Sequence, residues 1–220
     1  RRICGYIAAA ATPDGIVADK GEPMTPKILV FAGSTRSGAL SGKTADAAVK
    51  ELALQGADVT RISLADYPLP LLDQDLEREK GVPDNAVKLA RMIAAHDGLL
   101  IATPEYNSSL PPLLKNTIDW VSRVKTDVQA KPMRAFSGKS TALCSSSNGG
   151  FAGVRAINHL RAILVHCQAE VVTPQCSVPR AQEAFDGNGD FVEDRLKQAM
   201  SKTCRALIEH ARLFSTRMDL

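Results

Sequence analysis

No apolar run in the 220 residues approaches the ~18–20 needed to cross a bilayer, so no membrane partner is expected. There is also no block of about five or six Lys/Arg, and no basic stripe interleaved with aromatics. With 27 basic and 24 acidic side chains the net charge is only +3, and nucleic acid is not an expected partner. The small positive excess suits small anionic ligands. The five cysteines (Cys4, Cys144, Cys167, Cys176, Cys204) include no Cys-x-x-Cys and no metal-like spacing. Most lie in apolar stretches, where a free thiol behaves as a small hydrophobe, so reduced thiols in a cytoplasmic protein are expected. His159 and His166 stand in no Ser, Cys or carboxylate pattern of a triad and read as ordinary helix residues. The acidic run Asp73-Asp75-Glu77-Glu79 lacks the glycine turn and closing Glu of a calcium loop and reads as a solvated loop.

Arg1-Arg2 followed by Ile3 to Ala11 looks like a miniature signal peptide, but the run is Ala-rich and at the short limit for one. The chain starts without Met, while Met24-Thr25-Pro26-Lys27 precedes the first strong strand. Residues 1–26 are therefore expected to be a loose extension, and 27–220 a single folded domain.

From there the pattern alternates. Ile28 to Phe31 is a continuous apolar run ending at Gly33, the signature of a strand buried on both faces. A helical spacing starts at Lys43 and stops near Gly56. Strands follow at Val59–Ile62, Leu99–Ala102, Thr141–Cys144 and, more weakly, Val171–Val172. Between them run helices marked by Ala86, Leu89 and Ile93, by Leu114, Ile118 and Val121, and by Ile157, Leu160 and Leu164. A last helix carries Leu196, Met200, Leu207 and Phe214. Strict strand–helix succession implies α/β architecture: a doubly wound sheet of five parallel strands with helices on both faces. Strand order is left open between the two common doubly wound arrangements. In both, ligands sit beyond the carboxyl ends of the strands.

Three loops fall at that edge. Gly33-Ser34-Thr35-Arg36-Ser37-Gly38-Ala39-Leu40-Ser41-Gly42-Lys43 combines backbone freedom, hydroxyls, a helix start and a guanidinium, a set suited to phosphate. An ordinary β–α turn that binds nothing is the alternative. Gly38-x-x-x-Gly42-Lys43-Thr44 nearly spells a P-loop, so a P-loop-like nucleotide hydrolase is another alternative. Against it, Ser37 stands where that motif needs Gly, and the strand at 99–102 runs into Thr103-Pro104 rather than a metal-binding Asp. The second loop, Thr103-Pro104-Glu105-Tyr106-Asn107-Ser108-Ser109, pairs an aromatic ring with donors and acceptors, as a planar heteroaromatic ligand requires. A Pro-bounded turn with a surface Tyr would read the same way. The third, Ser145-Ser146-Ser147-Asn148-Gly149-Gly150-Phe151, is a weaker signal.

Lys27 to Arg36, Thr-Pro-Glu-Tyr-Asn at 103–107 and Leu-Lys-Asn-Thr-Ile-Asp-Trp at 114–120 together resemble the NADPH-dependent FMN reductase family, which includes flavin, quinone, chromate and azo-dye reductases. The resemblance runs from about Lys27 to Phe214, so the 27–220 domain is expected to be flavodoxin-like and to bind FMN. It implies that Ser34, Arg36 and Ser41, with Lys43 near by, hold the FMN phosphate. It implies also that Pro104, Glu105, Tyr106 and Asn107 border the isoalloxazine ring, and that Ser145, Ser146 and Ser147 complete the site. Many members carry Arg-x-x-Ser-x-Asn in the first loop; here Ser41 comes two residues later and Lys43 replaces the Asn. The implied activity passes hydride from NADPH or NADH through FMN to a small acceptor, by a ping-pong mechanism in a homodimer or homotetramer. A flavodoxin-type electron carrier with no NAD(P)H oxidation of its own is the alternative within the same fold.

Overall fold

The computed structural model describes residues 24–126, 129 and 132–218. The signal-like stretch Arg1–Ala11, Cys4 and nearly all of the expected extension lie outside the described residues. Met24 and Pro26 are attached to the domain: Pro26 O accepts from Asp58 N at 3.0 Å, and Met24 O from Arg212 Nε at 3.2 Å.

Among the described residues, five strands and six α-helices follow in the order β1 (Lys27–Ala32), α1 (Leu40–Leu54), β2 (Asp58–Ile62), α2 (Gln74–Lys80), α3 (Asp84–Ala95), β3 (Gly98–Pro104), α4 (Pro112–Arg123), β4 (Ser140–Ser146), α5 (Val154–His166), β5 (Glu170–Val178) and α6 (Asp194–Met218). All neighbouring strands are parallel, in the order β2-β1-β3-β4-β5. That is the flavodoxin-like order, and it resolves the choice left open by the chain's pattern.

The pleat sends alternate residues to opposite faces. Ile28, Val30 and Ala32 join Leu100, Ala102 and Cys144 under α1 and α6. Leu29 and Phe31 join Leu99, Ile101 and Leu143 under α3, α4 and α5. Each strand of the sheet's centre therefore reads as one apolar run because both of its faces are covered. Cys144, Cys176 and Cys204 are buried free thiols, and burial pushes all three up, Cys176 to about 12. They pack as hydrophobes.

Three expectations need correction. The acidic run is not a loop: Asp73 caps α2, its Oδ1 accepting from Asp75 N at 2.7 Å and Leu76 N at 3.2 Å. No residue of α2 is buried, so no apolar periodicity announces it; acidic residues at its start and Arg78 and Lys80 at its end suit the helix dipole. α1 starts at Leu40, a turn earlier than its apolar spacing suggests. β5 is nine residues long, and its exposed edge carries polar positions that hide the strand.

The 114–120 motif has a structural role on α4. Asn116 Nδ2 and Trp120 Nε1 both donate to Pro70 O at 2.8 Å, while Asn116 Oδ1 accepts from Leu72 N at 2.8 Å. One helical turn thus pins the proline-punctuated loop after β2. Trp120 is also fully buried. Trp120→Ala should cost about 3–5 kcal/mol of stability, and Trp120→Phe, which loses mainly one of two donors to Pro70 O, about 1 kcal/mol. Urea unfolding followed by circular dichroism checks both, since Trp120 is the chain's single tryptophan.

Candidate functional site

α1 leaves β1 for one face of the sheet and α4 leaves β3 for the other. Between these neighbouring strands the connections diverge, which opens a crevice at their carboxyl ends. A cleft of about 230 Å³ lies there, walled by Ser34, Arg36, Leu40 and Ser41 from the first loop, Pro104, Glu105 and Tyr106 from the second, and Ser146, Ser147 and Asn148 from the third. A larger groove of about 690 Å³ runs between α4 and α5, around Leu72, Ile118 and Ile163, away from the strand ends. Size therefore does not pick out the site; the convergence of three loops at the switch in strand order does.

Gly33 continues the ladder, its N–H donating to Ala102 O at 2.8 Å. A Cβ at Gly33 would stand 3.1 Å from Leu114 Cδ2, so its absence lets α4 close against the first loop. Ala39 precedes α1 and offers no side-chain cap, which leaves the helix's positive end at the cleft wall. Ser41 Oγ in that first turn is buried and has no hydrogen-bond partner. Ser146 Oγ, at the end of β4, is in the same condition. Buried hydroxyls normally find a partner, so two orphans in one small cleft mark a surface complementary to a polar ligand. Arg36 is exposed, its guanidinium held over its own loop by Ser37 O at 3.2 Å and Gly38 O at 3.5 Å.

Glu105 is nearly buried, with 7% of its side chain exposed. Its Oε1 accepts from Arg155 Nε at 2.9 Å and Nη2 at 2.5 Å, and its Oε2 from Arg155 N at 3.2 Å and Ala156 N at 3.4 Å. The carboxylate thereby caps α5, whose own N-cap residue, Gly153, has no side chain to do so. Burial pushes the Glu105 carboxyl up, but the Arg155 hydrogen bond, the α5 amides and the Arg155 charge together bring it below the ordinary carboxylate value.

Of the other expected site residues, Tyr106 is half-exposed and faces the cleft. Asn107 is exposed at the tip of a tight turn, with φ of 47°. Lys43 is exposed and, like Asn107, is not part of the cleft wall. Ser145 turns inward, its Oγ donating to Ala152 O at 2.6 Å. Arg155 escaped the sequence reading, and so did the contact between Ser109 of the second loop and His159. Ser109 Oγ lies 2.9 Å from His159 Nδ1, so His159 is more than an ordinary helix residue. A candidate signal was an Arg directly after the glycine-rich loop, but its partner is fifty residues away in the chain.

Residues 26–183 match the NADPH-dependent FMN reductase family. The chain belongs to that family. It is 36% identical over 183 residues to an NAD(P)H-dependent FMN reductase of Pseudomonas aeruginosa, covering 82% of this chain and 92% of that one. A quinone reductase of Escherichia coli is 38% identical over 147 residues, covering 66% of this chain and 73% of that one. Among solved structures, the flavoenzyme NAD(P)H:(acceptor) oxidoreductase FerB of Paracoccus denitrificans gives a TM-score of 0.70 at 23% identity, over 86% of this chain and 99% of that one. At that identity the likeness speaks for the fold.

Because the Glu105 carboxyl is lowered on folding, its stabilisation is complete above the ordinary carboxylate range and is lost as pH falls through the lowered value. Glu105→Gln should flatten that acid limb, with the largest difference from the parent at neutral pH. Thermal unfolding across pH 3 to 7, a window of roughly that width around the carboxylate range, reads it out.

Proposed function

We propose that the chain is an FMN-dependent oxidoreductase that passes hydride from NADPH or NADH to a small acceptor such as a flavin or a quinone. The observation that carries this reading is the match of residues 26–183 to the NADPH-dependent FMN reductase family, and the cleft at the switch in strand order, with Ser41 Oγ and Ser146 Oγ buried and unpartnered, fits a polar ligand. Bound FMN supplies the two-electron chemistry, for which the protein needs no catalytic triad.

The chain's own residues divide the work. Ser34, Ser41 and the first-turn amides of α1 would hold the phosphate, with the exposed Arg36 guanidinium on the same loop to pair with it. Lys43, further along the helix, contributes charge at longer range. Pro104 and Tyr106 would border the ring and Ser146 and Ser147 would close the far wall, while Asn107, at the tip of the turn outside the cleft wall, would reach only the ring's outer rim. Ser145 supports that wall from beneath, through Ala152 O. Glu105 acts through α5 rather than by presenting its carboxylate to the ligand.

Two alternatives carry less support. A nucleotide hydrolase needs a carboxylate free for magnesium beside the phosphates. β3 instead delivers Thr103 and Pro104, and Glu105 is committed to Arg155 and α5. A pure electron carrier has no need of an acceptor pocket, whereas relatives named for NAD(P)H, FMN and quinone support a turnover enzyme. Assembly as a homodimer or homotetramer in the cytoplasm belongs to the same proposal.

Purified protein should take up FMN and bleach with NADPH; a protein indifferent to FMN would overturn the reading. Ser41→Ala should leave the flavin-free protein as stable or more so, because it removes an unsatisfied hydroxyl, yet weaken FMN binding about 5- to 10-fold. Arg36→Ala should weaken FMN by about 10- to 100-fold and riboflavin far less, the loss of a charge-assisted hydrogen bond to phosphate. Isothermal titration with both ligands checks this. Nucleotide and acceptor use one opening, so initial-rate plots at several acceptor concentrations should be parallel; intersecting lines would mean separate sites.

A further inference from the structure

The loop that brings Tyr106 to the cleft reverses in a tight turn. Tyr106 and Ser109 exchange both backbone hydrogen bonds at 2.9 Å around Asn107 and Ser108. Those two central residues have φ of 47° and 64°, a left-handed conformation that Asn107 adopts readily and that costs Ser108 energy. Its own two hydrogen bonds close the turn, while its position at the cleft depends on contacts from outside it.

α5 supplies the hold. Arg155 and His159 are one helical turn apart on α5 and lie on the same side of it. Glu105 and Ser109 are likewise four residues apart, and they bracket the turn. The pairs match in register: the Arg155 guanidinium takes Glu105 Oε1 with two donors, at 2.9 and 2.5 Å, and His159 Nδ1 meets Ser109 Oγ at 2.9 Å. Phe151 lies under the first contact, its ring centroid 5.0 Å from Arg155 Cζ, and adds a cation–π interaction that limits where the guanidinium can go.

We propose that Arg155 and His159 are positioning residues for hydride transfer: a two-point clamp on α5 that fixes both ends of the strained Tyr106–Ser109 turn at the cleft. The role in transfer rests on the FMN reading above; the clamp itself is a property of the chain. Neither residue touches the reacting atoms. Losing either contact frees one end of the turn, so the ring-bordering residues lose their placement while the phosphate loop on α1 stays as it was.

The test uses Arg155→Ala, Arg155→Lys, His159→Ala and Ser109→Ala. In the flavin-free protein, hydrogen exchange at the Tyr106 and Ser109 amides should rise about 5- to 10-fold in each Ala variant, with the sheet amides unchanged. Anaerobic stopped-flow should show flavin reduction by NADPH slowed by about 10-fold, while the Kd for FMN stays within about 2-fold. Ser109→Ala should reproduce His159→Ala, and combining the two should add nothing, because both remove one contact. Arg155→Lys keeps the charge without the fork and should fall between parent and Ala. Unchanged exchange at Tyr106 and Ser109 would overturn the clamp. So would exchange that rises equally across the whole sheet, which means α5 merely stabilises the fold. Faster local exchange with an unaltered reduction rate would overturn the role in transfer. Should no variant nor the parent bind FMN, the cofactor reading fails, and the exchange data still decide the clamp.

Discussion

The structure depends on one reversal of direction: after β2 the chain crosses back to the far side of β1 and lays down β3 there. Right-handed crossovers then oblige α1 and α4 to cover opposite faces, and neither can close the gap above the two strand ends. Everything ascribed to the site follows from that uncovered gap. The first loop reaches it from one side and the second from the other, and β4, next in order, brings the third.

Within the gap the chain leaves hydrogen-bonding capacity unspent. Ser41 Oγ and Ser146 Oγ each cost stability while they lack a partner. The acid of the site is treated in the opposite way. Glu105 is satisfied by four donors, so its negative charge is neutralised locally and the first-loop side of the cleft keeps a positive bias from Arg36 and the start of α1. Two neighbouring loops therefore follow different electrostatic rules. One is left open for an anion, and the other is closed around its own.

Much of the architecture could be read from the chain. Ile28–Phe31 and Leu99–Ala102 are uninterrupted apolar runs because helices lie on both sides of them, and burial on both faces leaves no room for ambiguity. Strand order was not legible, because it depends on contacts between segments far apart in sequence. α2 escaped because only Leu76 packs, partly buried, against the core, and the length of β5 because an edge strand keeps polar residues. The site loops announced themselves through Gly, Ser and Arg, yet which serine faces the ligand space did not. Ser145 and Ser146 are adjacent, and the pleat sends one beneath the loop and the other to the cleft. Glu105 was read as a border of the ring; its tie to Arg155 spans fifty residues, beyond the reach of any local pattern.

The irregularity in β5 has a consequence for how copies of this chain can meet. Thr141 and Leu143 of β4 pair with Val171 and Gln175, so β5 carries extra residues there, and Pro174 lies in that bulge without an N–H to offer. Arg161 occupies the carbonyls of Val171 and Val172. At the opposite rim β2 has only five residues, and an Arg61–Asp46 ion pair at 3.0 Å stands beside it. Both rims are thus poor templates for another strand, and the sheet resists growing sideways into a larger one. Bounded in this way, the hydrogen-bond ladder stays within one copy of the chain.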